Sequence, residues 1–193
     1  MKQYGIKKEW AIVGLEKVEI NNQLASMSIE PSDSAAVKLE GNIFCDEPHE
    51  DFNWEDYVSG DFSDGKLTIE LDEIEAMDRS GMKASQLKLY IPKGVFIEYE
   101  TYILPLGLHG LHNNVKVISE NAPISVNNCD GDKHIESENG PVRIHNSNGS
   151  IYARLENGPL SAEAISGEGI HVESENGPIK LRLSNFKNVD LAT

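Results

Sequence analysis

The sequence predicts an all-β fold: a parallel β-solenoid (β-helix-like) with coils of about 18 residues, each built of two nine-residue strand-turn units. Three observations predict it. Glu-Asn-Gly-Pro recurs at Glu138 to Pro141, Glu156 to Pro159 and Glu175 to Pro178, with the variant Glu-Asn-Ala-Pro at Glu120 to Pro123, in steps of 18, 18 and 19 residues. Gly131, Gly140, Gly149, Gly158 and Gly167 are each nine apart, and Gly177 follows after ten, with Glu168-Gly169 supplying the extra residue. Between the glycines, apolar residues alternate with polar ones.

With each Gly as position one, positions three and five carry Val115 and Val117, Ile124 and Val126, Val142 and Ile144, Ile151 and Ala153, Leu160 and Ala162, Ile170 and Val172, and Ile179 and Leu181. Lys133, before Ile135, is the exception. Position seven is mixed: Leu155, Ala164 and Leu183 in some units, Ser119, Ser137 and Ser174 in others. Strict alternation closed by a turn is the signature of a half-buried strand. Gly and Asn suit such corners because both tolerate positive φ. Asn-Gly between alternating runs also fits antiparallel hairpins. A meander, however, has no reason to repeat one corner at every second turn, whereas stacked coils do.

Stacking places residues 18 apart side by side, roughly 4.8 Å from strand to strand. It aligns Glu136, Arg154 and Glu173 in one outward column, with alternating charge, and His134, Tyr152 and His171 in the next. The other face aligns Ser125, Arg143, Ser161 and Lys180, then Asn127, His145, Glu163 and Arg182.

Upstream the repeat fades. Short alternating runs remain at Lys17 to Ile20, Ala25 to Ile29, Ala36 to Leu39, Leu67 to Leu71 and Leu87 to Ile91. The acidic, aromatic stretch Glu47 to Asp61 reads as a loop or one short helix, and Glu73 to Ser85 as a second insertion. No Pro-, Gly- or Ser-rich linker divides the chain. It is therefore read as a single domain over 1–193, with irregular coils and insertions in 1–103, regular repeats in 104–185, and a cap or half-coil in 186–193. A separate small β-domain ending near Ile91 is the alternative.

A length of 193 residues allows a sizeable core. The net charge of -15, from 32 acidic against 17 basic residues, disfavours nucleic acid and anionic lipid, which need clustered Lys and Arg. Cys45 and Cys129 have no metal-ligand spacing, and nothing indicates a disulfide. No apolar run is long enough to span a bilayer. The basic N-terminus lacks the apolar stretch of a signal peptide.

No catalytic constellation emerges. Polysaccharide-cleaving β-helices need Asp, Lys or Arg clusters on one face, and the faces here carry alternating charges instead. No Ser, Cys or His arrangement suggests an activated nucleophile. Gly167-Glu168-Gly169 is a bulged corner, not a phosphate loop. His109-x-x-His112 lacks a third metal ligand and reads as a surface turn. The column Glu120, Glu138, Glu156, Glu175 is the one metal candidate. It reads as a solvated edge held by the neighbouring Asn121, Asn139, Asn157 and Asn176, or as an oxygen ladder for a hard cation such as calcium. No other cofactor is expected.

The segment Leu89-Tyr90-Ile91-Pro92-Lys93-Gly94, followed by Glu98-Tyr99-Glu100-Thr101 and the Gly-punctuated strands, resembles a bacterial β-strand-repeat family of putative-adhesin or toast-rack domains. The resemblance spans roughly residues 10–185. It implies a β-solenoid without catalytic residues, at the cell envelope or outside the cell; the cytoplasm is implied instead if Met1 is the natural start. The function expected is a non-enzymatic interaction module that displays its faces to a protein or glycan partner. Two alternatives stand beside it: a structural protein that self-assembles through open solenoid ends, and, disfavoured, a polysaccharide-active enzyme.

Overall fold

A computed structural model of the protein describes residues 2–45, 52–74 and 84–192. The chain is all-β, and the 17 strands among the described residues share one mixed sheet. Two runs of parallel strands account for most of it. The first run, in spatial order, is β6 (Lys66–Leu71), β2 (Lys17–Asn22), β8 (Phe96–Thr101), β10 (Val115–Ser119), β12 (Lys133–Ser137), β14 (Ile151–Leu155), the end of β15 (Leu160–Ser174) and β17 (Asn185–Ala192). The second run is β7 (Gln86–Ile91), β3 (Ser26–Pro31), β9 (Leu106–His109), β11 (Ile124–Asn127), β13 (Val142–Asn148), the start of β15 and β16 (Ile179–Arg182).

Within the repeat the register is the one the glycines dictate. Val115 faces Lys133 and Lys133 faces Ile151, while Ile151 faces Ile170 one residue later because of Glu168-Gly169. Inward residues of both runs form one apolar core: Ile97, Val117, Ile135, Ala153 and Val172 from the first, and Leu108, Val126, Ile144 and Ala162 from the second are all buried.

The first hundred residues depart from coils stacked in chain order. The coil β2–β3 lies between β6–β7 and β8–β9, so Lys17 faces both Lys66 and Phe96. Three ladders are antiparallel: β4 (Ala36–Cys45) pairs with both β1 (Lys2–Ala11) and β7, and β5 (Val58–Ser63) pairs with β6. The expectation of one parallel stack from end to end is corrected here. The physical reason is that these partners sit at no fixed sequence spacing, so no periodicity could reveal them. The acidic stretch holds a single 3-10 turn at Trp54–Tyr57 and then strand β5, where only a loop or helix was expected. Most of the insertion at 73–85 lies outside the described residues. The terminal strand β17 pairs parallel with β15.

The corners explain the repeat. At Gly140, Gly158 and Gly177 φ is not positive, so conformational freedom does not select the glycine. Space does: a Cβ there would collide with the carbonyl oxygen of Ala122, Gly140 or Gly158, one coil earlier. One other corner column is left-handed throughout: Gly110 (φ 66°), Asn128 (54°), Asn146 (48°), Ala164 (54°) and Leu183 (48°). Asn favours this conformation and adds a ladder, Asn146 Nδ2 donating to Asn128 Oδ1 at 2.6 Å. Ala164 and Leu183 therefore turn a corner, and Leu183 is 81% exposed.

The serines at position seven form a buried polar column that closes the opposite corner. Ser119 Oγ accepts from Ala122 N at 3.0 Å, Ser137 Oγ donates to Gly140 O at 3.2 Å, and Ser174 Oγ donates to Gly177 O at 2.8 Å. Short hydroxyl side chains satisfy turn groups that would otherwise be buried unpaired. Lys133, the sequence exception, does the same for the other corner. Its ammonium sits in an otherwise aliphatic column and donates to the carbonyls of Cys129 (3.0 Å), Gly131 (2.6 Å) and Asn148 (2.5 Å). Burial pulls its pKa below the ordinary lysine range.

Candidate binding face

The outward side of the first run carries one continuous column: Glu19, Glu98, Lys116, His134, Tyr152, His171 and Asp190. At its start, charges neutralise one another. Lys17 Nζ lies 2.5 Å from Glu98 and 3.1 Å from Glu19, while Lys66 reaches Glu19 and Lys116 reaches Glu98. The hydrogen bond from Lys17 holds both carboxylates below their ordinary range. Further along, rings replace charges. Tyr152 is stacked between His134 and His171, with centroids 4.6 and 5.2 Å apart. The strand spacing of about 4.8 Å makes this stacking automatic for ring residues in register. It also covers both faces of the phenol, so only ring edges and the hydroxyl point outward.

A groove of about 730 Å³ runs along this column, bounded by Phe96, Asn114, Asp132 and Ser150 on one flank and by Lys187, Asn188 and Asp190 at its end. The imidazoles are held at their rims: His134 Nε2 contacts Glu136 at 2.8 Å, and His171 contacts Glu173 at 3.0 Å and Asp190 at 2.9 Å. Among the described residues the Tyr152 hydroxyl has no hydrogen-bond partner, although its ring lines the groove. Sequence spacing found the His-Tyr-His column but missed the groove, because Phe96 and β17 lay outside the regular repeat.

The expected Glu136-Arg154-Glu173 ladder is aligned as foreseen but is weakly paired. Arg154 approaches Glu173 only to 3.9 Å, and both glutamates turn to the histidine on their own strand.

The glutamate corner column is likewise in register, with every carboxylate exposed. Its backbone is fixed by an asparagine ladder. Asn139 donates to Asn121 at 3.0 Å, Asn157 to Asn139 at 2.8 Å and Asn176 to Asn157 at 2.9 Å. Among the described residues no three His, Cys, Asp or Glu side chains converge as metal ligands. Glu120, Glu138, Glu156 and Glu175 thus lie in line along a corner and do not surround a point. His112 Nδ1 pairs with Asp130 at 2.8 Å, in keeping with a surface turn. Cys45 and Cys129 are buried and not joined in a disulfide.

His171 gives the face a pH dependence. The hydrogen bond to Glu173, and then that to Asp190, holds its pKa above the ordinary value of about 6.5. A raised folded pKa means that the stabilisation is complete below about pH 6.5 and is lost as the pH climbs through the folded value. Amides of β17, tied down through Asp190, are expected to exchange faster relative to those of β14 once the pH passes that value. In His171→Gln the ratio should stay flat, and a flat ratio in the native protein would remove the imidazole from any role in holding the strand.

No helix among the described residues is long and apolar enough to cross a membrane. No protein-family model and no curated protein matches the chain. Among solved structures it is similar to a putative cell adhesion protein from Clostridium sporogenes (10% identity, TM-score 0.37, covering 98% of this chain and 100% of that one). It is similar also to a putative adhesin from Bacteroides fragilis (12% identity, TM-score 0.34, 98% and 97% covered) and to a putative lipid binding protein from Parabacteroides distasonis (14% identity, TM-score 0.29, 98% and 97% covered).

Proposed function

We propose that the protein is a non-enzymatic binding module, a β-solenoid from β8 to β17 that lays a glycan along the groove over His134, Tyr152 and His171. One observation carries the reading: a tyrosine hydroxyl without a protein partner lies in a long groove between fixed imidazole edges. Such a groove offers donors and acceptors at regular intervals, which suits a hydroxyl-rich chain. The same registered stacking spreads side chains along a flat face, whereas catalysis needs groups converging on one reacting atom. Titrating neutral oligosaccharides into the protein by calorimetry tests the reading. Tyr152→Phe should weaken binding about tenfold, the loss of one hydrogen bond to a desolvated ligand. Unchanged affinity in Tyr152→Phe, or no binding to any neutral glycan, overturns it.

A second reading, stacking of copies through the last coil, is favoured by the exposure there of the inward-facing residues Val189 (57%) and Leu191 (44%). Light scattering across a hundredfold range of concentration separates the two, because end-to-end stacking makes the mass rise with concentration.

A further inference from the structure

We propose a second binding strip, on the second run of strands, for a linear polysaccharide that bears carboxylates. It goes beyond the ring groove and does not depend on it. The repeat places Pro105, Pro123, Pro141, Pro159 and Pro178 in one corner column, in steps of 18, 18, 18 and 19 residues. Beside this ridge run two shallow grooves, of about 350 and 430 Å³, that meet at Arg143. The first extends back to Pro105 and Pro123, the second forward to Pro178 and Lys180.

Charge selects the ligand. The chain carries -15 overall, yet Arg143, Lys180 and Arg182 are exposed here and form no ion pair among the described residues, whereas Lys17, Lys66, Lys88 and Lys116 are all paired. Arg143 and Lys180 share one outward column with Ser161 between them, so the two cations are about 10 Å apart along the stack. Unpaired cations beside an apolar ridge fit a chain with recurring carboxylates, each accepting a charge-assisted hydrogen bond.

The same geometry favours a polysaccharide over an acidic peptide. β11, β13 and β15 are hydrogen-bonded on both sides, and the corner residues are prolines, which have no N–H. An extended peptide would find no backbone partners and could not add as a strand. A sugar chain needs only the cations, the Ser125 and Ser161 hydroxyls, and aliphatic contact with the pyrrolidine rings. Glu163 faces Arg182 across the ladder, so the strip rests on Arg143 and Lys180, and negative charge beyond about 8 Å is screened at physiological salt.

The test uses polygalacturonate as the probe, its fully methyl-esterified form as the uncharged control and poly-glutamate as the peptide control, by biolayer interferometry at 0.15 M salt. Polygalacturonate is expected to bind, with affinity falling as salt rises, and the ester is expected not to. The double variant Arg143→Gln, Lys180→Gln should weaken binding at least about tenfold, in line with loss of hydrogen bonds to charged groups. Both residues are exposed and unpaired, so the variant should fold, which circular dichroism checks. Arg154→Gln on the other face should leave polygalacturonate binding unchanged. Absence of binding, equal binding by the double variant, or equally tight binding of poly-glutamate would each overturn the proposal.

Discussion

Gly158→Ala is expected to destabilise the protein by about 3 kcal/mol, the upper end of what a forced methyl group costs in a close-packed site. The new Cβ would collide with the backbone oxygen of Gly140, and backbone cannot swing aside as a side chain can. Relief requires moving one coil away from the next. That strains the bonds that join them, Asn157 N to Glu138 O at 2.7 Å and Glu156 N to Ser137 O at 3.1 Å. For a chain of this length the melting temperature should fall by roughly 6–12 °C. Gly94→Ala separates crowding from backbone strain. Gly94 has φ 83° but nothing within 4 Å of a Cβ, so it should cost only about 1 kcal/mol. Equal losses at the two positions would mean that conformation, and not coil spacing, selects the repeat glycines.

Lys133→Met should cost about 2 kcal/mol. Methionine matches the aliphatic column of Val115, Ile151 and Ile170, so the packing term is small. The loss comes chiefly from the carbonyls of Gly131 and Asn148, left without the ammonium that now joins them, since that of Cys129 still accepts from Asn148 N at 2.9 Å. A buried acceptor without a partner costs about 1–3 kcal/mol, while removal of a desolvated charge returns part of that. Urea unfolding of the variant reads the balance directly. A variant as stable as the native chain would show that desolvation of Lys133 cancels what its hydrogen bonds contribute.

Lys133 also shows where sequence reading stops. Its place in the inward column was legible from the glycine spacing, but a lysine there read as an exception because its acceptors belong to turns of two different coils. The serines at position seven are similar: in the sequence that position is merely mixed, and the corner bonds of Ser119, Ser137 and Ser174 give them a common purpose. The His134-Tyr152-His171 column was legible because cross-coil neighbours share one sequence step. Its groove was not, because Phe96 and Asp190 reach it through strands at the edges of the repeat.

What the sequence determined by itself is the all-β character of the chain, the coil length and the register of every strand from β10 to β16. Those follow from local rules: alternation sets which side chain points inward, and the glycines fix where each corner must come. The tertiary structure alone decided how the first hundred residues join the stack. There β2 is wedged between β6 and β8, and β1, β4 and β5 run antiparallel. Pairing between strands 49 or 79 residues apart leaves no period in the sequence, because each strand needs only a complementary edge and a shared apolar face, which many runs of alternating residues provide.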